Sequence, residues 1–400
     1  MHSSTRHALT FAVLSALLLI AARPAPAQIE KVLYSFGAQA TDGFSPESSL
    51  TSHDGGLYGT TYEGFAGPGI VFELMPKDGW NETVLYSFCT TGRECCPDGA
   101  NPTGFVIFDR AGNLYGTTYG GGAFGRGVVF ELSPVGTNWV EKVLYSFGVW
   151  AEGVNPVGGL IMDRAGNLYG ATFRGGGGVF ELSPSAGGWT EQVIYAVHNY
   201  DPDGGYPGLS MAAAGNIFGT SRRTVFELSP NSSGGWTPTV IHKFIGGATD
   251  GTAPRGAPVL DASGNLYGTT RQGGAMNYGT VYEVSPSQSG WTETILYSFE
   301  GHEEDDGAYP YDGVVLDASG NIYGTTYAGG EYSNEGGVVF ELVAQAAEGN
   351  YQEKVLWSFN EADGLAPYGK VILNKAGHLY GTTYSGGILG FLGVVFEVTP

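Results

Sequence analysis

Short apolar and alternating runs recur along the chain after its first 27 residues, separated by Gly, Asn, Asp and Pro. Such punctuation is typical of strands joined by turns. Most runs are apolar at successive positions, which indicates strands buried on both faces, and no segment beyond residue 27 shows helical periodicity. The pattern predicts an all-β protein. One unit contains four strands, which we name A to D: Gly104–Asp109, Asn113–Tyr119, Gly127–Pro134 and Trp139–Phe147.

The phrase around strand B, GNLYGTT in its commonest form, occurs seven times. Successive copies are 57, 54, 49, 49, 56 and 57 residues apart. Seven units of four antiparallel strands predict a seven-bladed β-propeller, in which each blade buries both faces against its neighbours. The aromatic residues of the seven copies are Tyr58, Tyr115, Tyr169, Phe218, Tyr267, Tyr323 and Tyr380.

The two ends of the chain complement each other. The last unit stops at strand C, Gly393–Pro400, and lacks a strand D, whereas Glu30–Phe36 (EKVLYSF) matches strand D of the other units. We therefore predict that the N-terminal strand 30–36 pairs with the C-terminal blade and closes the ring, which removes two free sheet edges. A solenoid is the structural alternative, and it would need capping repeats at its ends.

The first residues have the pattern of an export signal. An apolar run, Ala8–Ala22, follows Arg6, and Ala25–Ala27 (APA) forms a small-residue cleavage site. The run is too short for a spanning helix. We predict that residues 1–27 are a cleaved signal peptide and that 28–400 form a single propeller domain without a membrane span, located in the periplasm or outside the cell.

Charge and composition limit the classes of partner that the protein can bind. The net charge is -21, and removal of Arg6 and Arg23 with the leader makes it -23. An acidic surface repels nucleic acid and anionic membranes. The chain contains 67 Gly, but these recur at fixed places beside 13% aromatic residues, which excludes a disordered linker. We find no nucleotide-binding, serine-hydrolase or zinc-protease motif, and we expect a monomer without cofactor or metal.

The combined phrases LYSFG, DGxxP, GNLYGTTYxGG, GVVFELSP and GWTE cover nearly all of residues 28–400. In this combination the chain resembles the GloVer-type tandem repeats of exported bacterial choice-of-anchor proteins. The resemblance implies export and no particular chemistry. Gly159–Gly170 (GLIMDRAGNLYG) is also similar to the repeats of NHL-type propellers, which implies that strand A is innermost.

The alternating direction of the strands assigns each loop to one of the two ends of the propeller. The A–B and C–D turns lie at one end of the propeller, and the B–C and D–A connections lie at the other. The A–B turns are nearly uniform, as in Arg110–Asn113 (RAGN), which is typical of a turn in which Gly supplies the unusual dihedral. The other end varies, so we place the binding face there.

Two acidic positions recur in all units. One opens the D–A connection, and it is either a cation-binding ring at the channel mouth or, as the full recurrence favours, an Asp-Gly turn: Asp42, Asp98, Glu152, Asp203, Asp250, Asp306 and Asp363. The other lies on strand C, where we expect hydrogen-bonded or partly solvated structural residues: Glu73, Glu131, Glu181, Glu227, Glu283, Glu341 and Glu397.

The B–C loop begins with an aromatic residue in five units and with Arg in two. Aromatic side chains at a rim could stack on sugar rings, while the alternative, which we favour, is packing between blades over glycines. The residues are Tyr62, Tyr119, Phe173, Arg222, Arg271, Tyr327 and Tyr384.

Arginines break the symmetry in units three to five, on B–C and D–A loops. The planar guanidinium suits carboxylate or sulfate, so the pattern predicts a site for an acidic glycan or another anionic group. The alternative is local pairing with Asp201, Asp203 or Asp250. The candidate residues are Arg174, Arg222, Arg223, Arg255, Arg271 and His198.

Three cysteines lie in one D–A loop, at Cys89, Cys95 and Cys96. Export favours oxidation. We predict one disulfide, between Cys89 and either Cys95 or Cys96, which leaves one thiol. A metal site would need a fourth ligand that the sequence does not indicate.

These patterns leave three functions open. We favour a non-catalytic extracytoplasmic propeller that binds glycan or surface-protein partners through its B–C/D–A face. The first alternative is a polysaccharide lyase or another carbohydrate-active enzyme for acidic glycans, an assignment by analogy of fold. Clustering of His198, Tyr200 and Arg222 would support it. The second alternative is a purely structural scaffold.

Overall fold

The computed structural model describes residues 29–90, 96–149, 153–175, 178–196, 208–288, 290–332, 335–345 and 351–400. These residues form no α-helix. They form seven antiparallel sheets in which the strands are ordered A-B-C-D, so the seven-bladed β-propeller predicted from the sequence is confirmed. Among them, no helix has the length and apolar character needed to cross a membrane.

The strands of blades 1 to 4 have the following bounds. Blade 1 consists of Thr51–His53, Gly56–Thr61, Ile70–Leu74 and Glu82–Ser87. Blade 2 has a divided strand A and consists of Ala100–Pro102, Ile107–Phe108, Leu114–Gly120, Val128–Val135 and Asn138–Ser146. Blade 3 consists of Val154–Met162, Leu168–Arg174, Gly178–Ser185 and Gly188–Ala196. Blade 4 consists of Leu209–Met211, Ile217–Thr220, Thr224–Pro230 and Trp236–Lys243.

The remaining blades follow the same order. Blade 5 consists of Gly251–Leu260, Leu266–Gly273, Thr280–Ser287 and Gly290–Ser298. Blade 6 consists of Val315–Leu316, Ile322–Thr326, Val338–Ala344 and Tyr351–Ser358. Blade 7 consists of Ile372–Leu373, Leu379–Thr383, Val394–Thr399 and Ile29–Ser35. Two short pairs lie in the loops, Gly43–Phe44 with Glu63–Gly64 and Gly307–Ala308 with Ala328–Gly329, besides 3-10 turns at Pro76–Asp78 and His302–Glu304.

The N-terminal strand is the outer strand of blade 7. Ile29–Ser35 pairs antiparallel with Val394–Thr399, and Ile29 lies opposite Thr399. The strand begins and ends one residue earlier than the sequence-based bounds of 30–36. Main-chain hydrogen bonds therefore join the two ends of the described chain within one sheet.

The core uses equivalent positions in every blade, filled by Phe or, in blade 5, by Tyr282 on strand C. Phe130 on strand C is fully buried and covers Gly116 of strand B, where an added Cβ would lie 2.5 Å from the tip of the Phe130 ring. Phe88, at the end of strand D in the previous blade, meets Phe130 edge to face with centroids 5.1 Å apart. Equivalent pairs are Phe36–Phe72, Phe147–Phe180, Phe244–Tyr282, Phe299–Phe340 and Phe359–Phe396.

Threonine hydroxyl groups near the axis bond six of the seven blades to the next blade. Thr60 Oγ1 in blade 1 donates to the carbonyl oxygen of Gly104 in blade 2 at 3.0 Å. Thr382 in blade 7 donates to the carbonyl oxygen of Ser48 in blade 1 at 2.9 Å, so these contacts run from the last blade back to the first. Blade 3 has Ala171 at this position. The contributing residues are Thr60, Thr117, Thr220, Thr269, Thr325 and Thr382.

One disulfide holds the loop between blades 1 and 2. Cys89 is bonded to Cys96, and their Cα atoms are 4.7 Å apart. Of the two pairings that the sequence left open, the structure has the one with Cys96. Cys95 and the signal peptide predicted over 1–27 lie outside the described residues.

Candidate functional site

The segments that lead into strand A in all seven blades surround a narrow central cavity of about 70 Å³. Glycine allows neighbouring segments to approach closely: a Cβ on Gly104 would lie 2.0 Å from the carbonyl oxygen of Gly158. This volume is well below the range of about 300–1,000 Å³ that is usual for a small-molecule site, so a sugar-sized ligand would lie across the mouth of the cavity. The D–A connections enter the channel directly, because the residue after their proline, such as Glu47, Tyr311 or Tyr368, lines it.

Four tyrosines of blades 6 and 7 form a continuous cluster at the mouth of this cavity, where the D–A and B–C connections meet. The ring centroid of Tyr311 lies 5.1 Å from that of Tyr327 and 4.9 Å from that of Tyr368. Tyr368 lies 5.2 Å from both Tyr327 and Tyr384. The rings are tilted or edge to face, as aromatic pairs prefer. All four are partly exposed, so the cluster presents both apolar ring surface and hydroxyl groups.

Two arginines of blade 5 extend the cluster. The guanidinium carbon of Arg255 lies 5.2 Å from the centroid of Tyr311, and that of Arg271 lies 5.0 Å from it. Arg271 also lies 5.9 Å from the centroid of Tyr309. Arg255 is only 2% exposed, an unusual position for a charge. We call Arg255, Arg271, Tyr311, Tyr327, Tyr368 and Tyr384 the tyrosine–arginine cluster.

A carboxyl group faces the same cavity from blade 1. Burial raises the pKa of Glu47 to about 7, and the charge of Glu63 contributes to this shift. Burial raises the pKa of Tyr368 as well, and Tyr327, Tyr311 and the charge of Glu47 add to that effect. The mouth therefore has guanidinium groups on one side and, on the other, a carboxyl group that changes charge near neutral pH.

The B–C aromatics of blades 1 to 3 continue around the mouth. Tyr119 lies 6.5 Å from Phe173, and the Arg174 guanidinium lies 5.8 Å from the centroid of Phe173. Burial raises the pKa of Tyr62, and the charges of Glu47, Tyr119 and Glu63 contribute. Tyr62, Tyr119 and Phe173 are partly exposed, so none of them belongs to the sealed core between the blades.

The structure brings together only two of the five arginines that the sequence predicted to form an anion site. Arg255 and Arg271 share Tyr311, whereas Arg174 lies on Phe173, and Arg222 and Arg223 are exposed on blade 4. Four residues that bear on the lyase alternative or on ion pairing lie outside the described residues: His198, Tyr200, Asp201 and Asp203.

Sequence reasoning missed Glu47, Tyr311 and Tyr368. A signal was available, because the residue after the constant proline of the D–A motif differs from unit to unit. Asp312, the next residue in blade 6, was also missed. Its Oδ2 accepts hydrogen bonds from Ser49 Oγ at 2.8 Å and from the Lys370 N–H at 3.1 Å, which connects blades 6, 7 and 1 inside the channel.

The D–A carboxylates do not circle the channel mouth, which corrects the geometry inferred from the sequence. Asp42 Oδ2 accepts hydrogen bonds from Tyr34 Oη at 2.8 Å and from the N–H groups of Gly37 and Ala38. Tyr34 lies on strand D, the outermost strand, so this carboxylate faces the outer edge. Asp98 and Asp306 have the equivalent bonds from Tyr86 and Tyr297, and Glu152 and Asp203 lie outside the described residues.

A glutamate on strand D of the next blade faces each of these aspartates. Burial raises the pKa of Glu82 to about 10, and its hydrogen bond with Asp42 and the charge of Asp42 contribute. With both groups ionised, Asp42 Oδ1 and both Glu82 oxygens lack a donor. A protonated Glu82 donates to Asp42 and resolves this conflict. Burial and the charge of the facing aspartate raise the pKa of the glutamate in the pairs Glu30–Asp363, Glu141–Asp98, Glu293–Asp250 and Glu353–Asp306, to about 7 or 8.

The strand C glutamates are hydrogen-bonded within their own blades, as expected for this part of the sheet. Glu131 accepts hydrogen bonds from Tyr115 Oη at 3.3 Å and Ser133 Oγ at 3.4 Å, and lies 3.9 Å from Lys142 Nζ. Tyrosine also donates to Glu73, Glu341 and Glu397. These groups lie at the A–B end, away from the candidate site.

Comparison with known proteins gives the family and the fold. The chain is similar to a streptogramin B lyase structure, with 13% identity, 93% of this chain and 97% of that chain covered, and a TM-score of 0.56. Virginiamycin B lyase from Staphylococcus aureus has 13% identity, with 93% of this chain and 99% of that chain covered, and a TM-score of 0.56. A putative 6-phosphogluconolactonase from Bacteroides uniformis has 14% identity, with 84% of this chain and 89% of that chain covered, and a TM-score of 0.52. At this identity the likeness shows the propeller fold alone.

No curated protein sequence matches the chain. The family model of the Gloeobacter/Verrucomicrobia repeat matches residues 64–224 and 221–400. These matches include strands of all seven blades, so the GloVer-type resemblance drawn from the repeated phrases is confirmed. The chain belongs to the family of proteins built from the Gloeobacter/Verrucomicrobia repeat.

Proposed function

We propose that this protein is exported and binds an acidic oligosaccharide or polysaccharide at the channel mouth without changing it chemically. The observation that carries the proposal is the position of the Arg255 and Arg271 guanidinium groups, both within 5.2 Å of the Tyr311 ring centroid. Cationic forks beside a continuous aromatic surface are suited to a sugar that carries a carboxylate or sulfate group.

Each part of the mouth has a distinct role in this proposal. The Tyr327, Tyr368 and Tyr384 rings stack against the C–H faces of sugar rings, and their hydroxyl groups bond sugar hydroxyls. Arg271, which is partly exposed, pairs with the anionic group. Glu47, when protonated, donates a hydrogen bond to the ligand.

The net charge limits the kind of glycan. The net charge of -21 for the full chain, or -23 without Arg6 and Arg23 of the leader, repels a dense polyanion at distances within the screening length. A glycan whose acidic sugars are separated by neutral ones suffers less from this repulsion and still offers one anionic group to the arginines. Export is supported by the signal-peptide pattern of the first 27 residues and by the Cys89–Cys96 disulfide.

The test compares acidic with neutral oligosaccharides by isothermal titration calorimetry. We expect the wild type to bind the acidic ligand. The affinity should fall at least about tenfold in Arg271→Gln and stay unchanged in Arg164→Gln. Arg164 is a matched control because it is an exposed arginine on the A–B turn at the opposite end. Equal affinity of the wild type and Arg271→Gln, or equal affinity for neutral ligands, would refute the proposal.

A polysaccharide lyase is the second candidate, and Glu47 favours it. A carboxyl group with a pKa of about 7 beside Tyr368 is suited to accept a proton near neutral pH. In β-elimination, Glu47 would accept the proton from the carbon beside a uronate carboxylate, the C–O bond on the next carbon would break with formation of a carbon–carbon double bond, and the Tyr368 hydroxyl or water would protonate the leaving oxygen. An arginine would neutralise the carboxylate. Ultraviolet absorbance detects this unsaturated product. If the unsaturated product appears with the wild type but not with Glu47→Gln, the protein is a lyase and the proposal of binding without chemical change is wrong.

A further inference from the structure

One outer carboxyl pair has a histidine where the equivalent described pairs have a tyrosine or tryptophan. His242 on strand D of blade 4 lies opposite Val225 in the register, as Tyr297 of blade 5 lies opposite Val281. Tyr297 donates its O–H to Asp306 at 2.8 Å. A tyrosine in this position supplies a proton to the carboxylate, whereas a neutral imidazole also offers a nitrogen lone pair.

The three polar groups at this interface converge on one point. Ligand atoms of His242, Asp250 and Glu293 all lie within 4.8 Å of one another. His242 Nε2 is 3.6 Å from Asp250 Oδ1, and two ligands of one tetrahedral Zn²⁺ are separated by about 3.4 Å at normal bond lengths. The separation between the imidazole and the first carboxylate therefore already suits a shared metal ion.

Burial and missing hydrogen bonds point to a ligand at this site independently of the distances. Asp250 is 7% exposed, and its Oδ1 is buried without a hydrogen-bond partner. His242 Nε2 is also buried without one, which sets this pair apart; Glu293 Oε1 lacks a partner too, as do the equivalent atoms of Glu30, Glu141 and Glu353. Buried polar atoms without partners cost stability, and a cation placed among the His242, Asp250 and Glu293 atoms would satisfy all three of them at once.

Neighbouring groups fix the orientation of two of the ligands. The Ile245 N–H donates to Asp250 Oδ2 at 2.6 Å, which leaves Oδ1 directed towards His242. The Phe244 ring packs edge to face against the His242 imidazole, with centroids 4.6 Å apart. Such outer contacts hold metal ligands in place in known metal sites.

We propose that His242, Asp250 and Glu293 bind one divalent transition-metal ion of the Zn²⁺ class, with water as a fourth ligand. A mixed imidazole and carboxylate set suits Zn²⁺ and its first-row neighbours, whereas Ca²⁺ and Mg²⁺ prefer oxygen ligands alone. The ion connects strand D of blade 4, the D–A connection and strand D of blade 5. It is a structural site, and it departs from the absence of metal expected from the sequence.

The test uses the full chain after treatment with chelator and dialysis, with Co²⁺ alone as the probe at neutral pH. We expect one Co²⁺ ion to bind per chain and to give the strong visible absorption of four-coordinate Co²⁺. The melting temperature should be higher with Co²⁺ than without it. His242→Tyr recreates the side chain that blade 5 has in this position, so it should fold and should weaken Co²⁺ binding by at least about 100-fold. Glu293→Gln should weaken binding in the same way.

His378→Asn is the matched control, because it gives an A–B turn the asparagine found at the same position in other blades, such as Asn113, and also removes a histidine next to a carboxylate. Co²⁺ binding should be unchanged in it. The proposal is overturned if wild type binds no stoichiometric Co²⁺, if a folded His242→Tyr variant binds it equally well, or if Ca²⁺ raises the melting temperature as much as Co²⁺. The first result would leave only the direct contact between the His242 imidazole and the Asp250 carboxylate at this interface.

Discussion

Replacing Glu82 with Gln should stabilise the protein above neutral pH and change little near pH 4. The Glu82 side chain is 7% exposed and faces Asp42, and burial raises its pKa from 4.5 to about 10. Because the pKa in the folded state lies above that in the unfolded state, stability is fully present below pH 4.5 and falls as the pH rises towards the folded value. The unfolded chain releases a proton that the folded chain keeps.

The magnitude at pH 8 follows from the interval between 4.5 and 8, since the folded carboxyl stays protonated there. At about 1.4 kcal/mol per pH unit the full loss is about 5 kcal/mol. Local rearrangement and water penetration reduce such penalties, so we expect Glu82→Gln to recover about 2 kcal/mol. Gln keeps the shape, donates to Asp42 through its amide, and cannot ionise.

The assay is urea unfolding followed by tryptophan fluorescence at pH 4.5, 6 and 8. Glu303→Gln is the control, because it removes the same charge from an exposed position. The wild type should lose stability relative to Glu82→Gln between pH 4.5 and 8, and Glu303→Gln should follow the wild type. A Glu82→Gln variant that is less stable than wild type at pH 8 would show that the ionised carboxylate is needed, and the reasoning would be refuted.

Three further results are expected. Gly104→Val should lower the melting temperature sharply in calorimetry, because a Cβ there lies 2.0 Å from a backbone oxygen, whereas Gly187→Ala, with nothing within 4 Å, should not. Removal of residues 29–36 should leave the edge of blade 7 unpaired and produce aggregates in size-exclusion chromatography. Affinity for an acidic glycan should fall about three- to tenfold from pH 6 to 8, because Glu47 then becomes charged, and Glu47→Gln should remove this pH dependence in calorimetry.

Most of the fold could be predicted because it depends on local sterics and on a repeated apolar pattern. Gly116 must lack a side chain for Phe130 to lie across it, and this requirement recurs in every blade. The repeat count then fixes the number of sheets, and the unmatched strands at the two ends indicate their pairing. Each of these conclusions needs only the spacing of residue types.

The candidate site was only partly predictable. Arg271, Tyr327 and Tyr384 could be identified because each opens a variable loop. Tyr311 was missed, because its direction depends on how the D–A segment enters the channel, which no spacing in the sequence reports. The orientation of Asp42 was also wrong in the sequence-based expectation, since its side chain turns outward to the hydroxyl of the neighbouring outer strand.

The pairing of Ile29 with Thr399 means that the two described ends lie side by side in an antiparallel ladder. A short reverse turn could therefore splice them, and blade 7 would acquire the same hairpin that already joins strands C and D in blades such as blade 3, between Ser185 and Gly188. New termini could then be opened at any such hairpin. A circular permutant of this kind would keep every inter-blade contact, so the order of the blades along the chain is separable from their order around the axis.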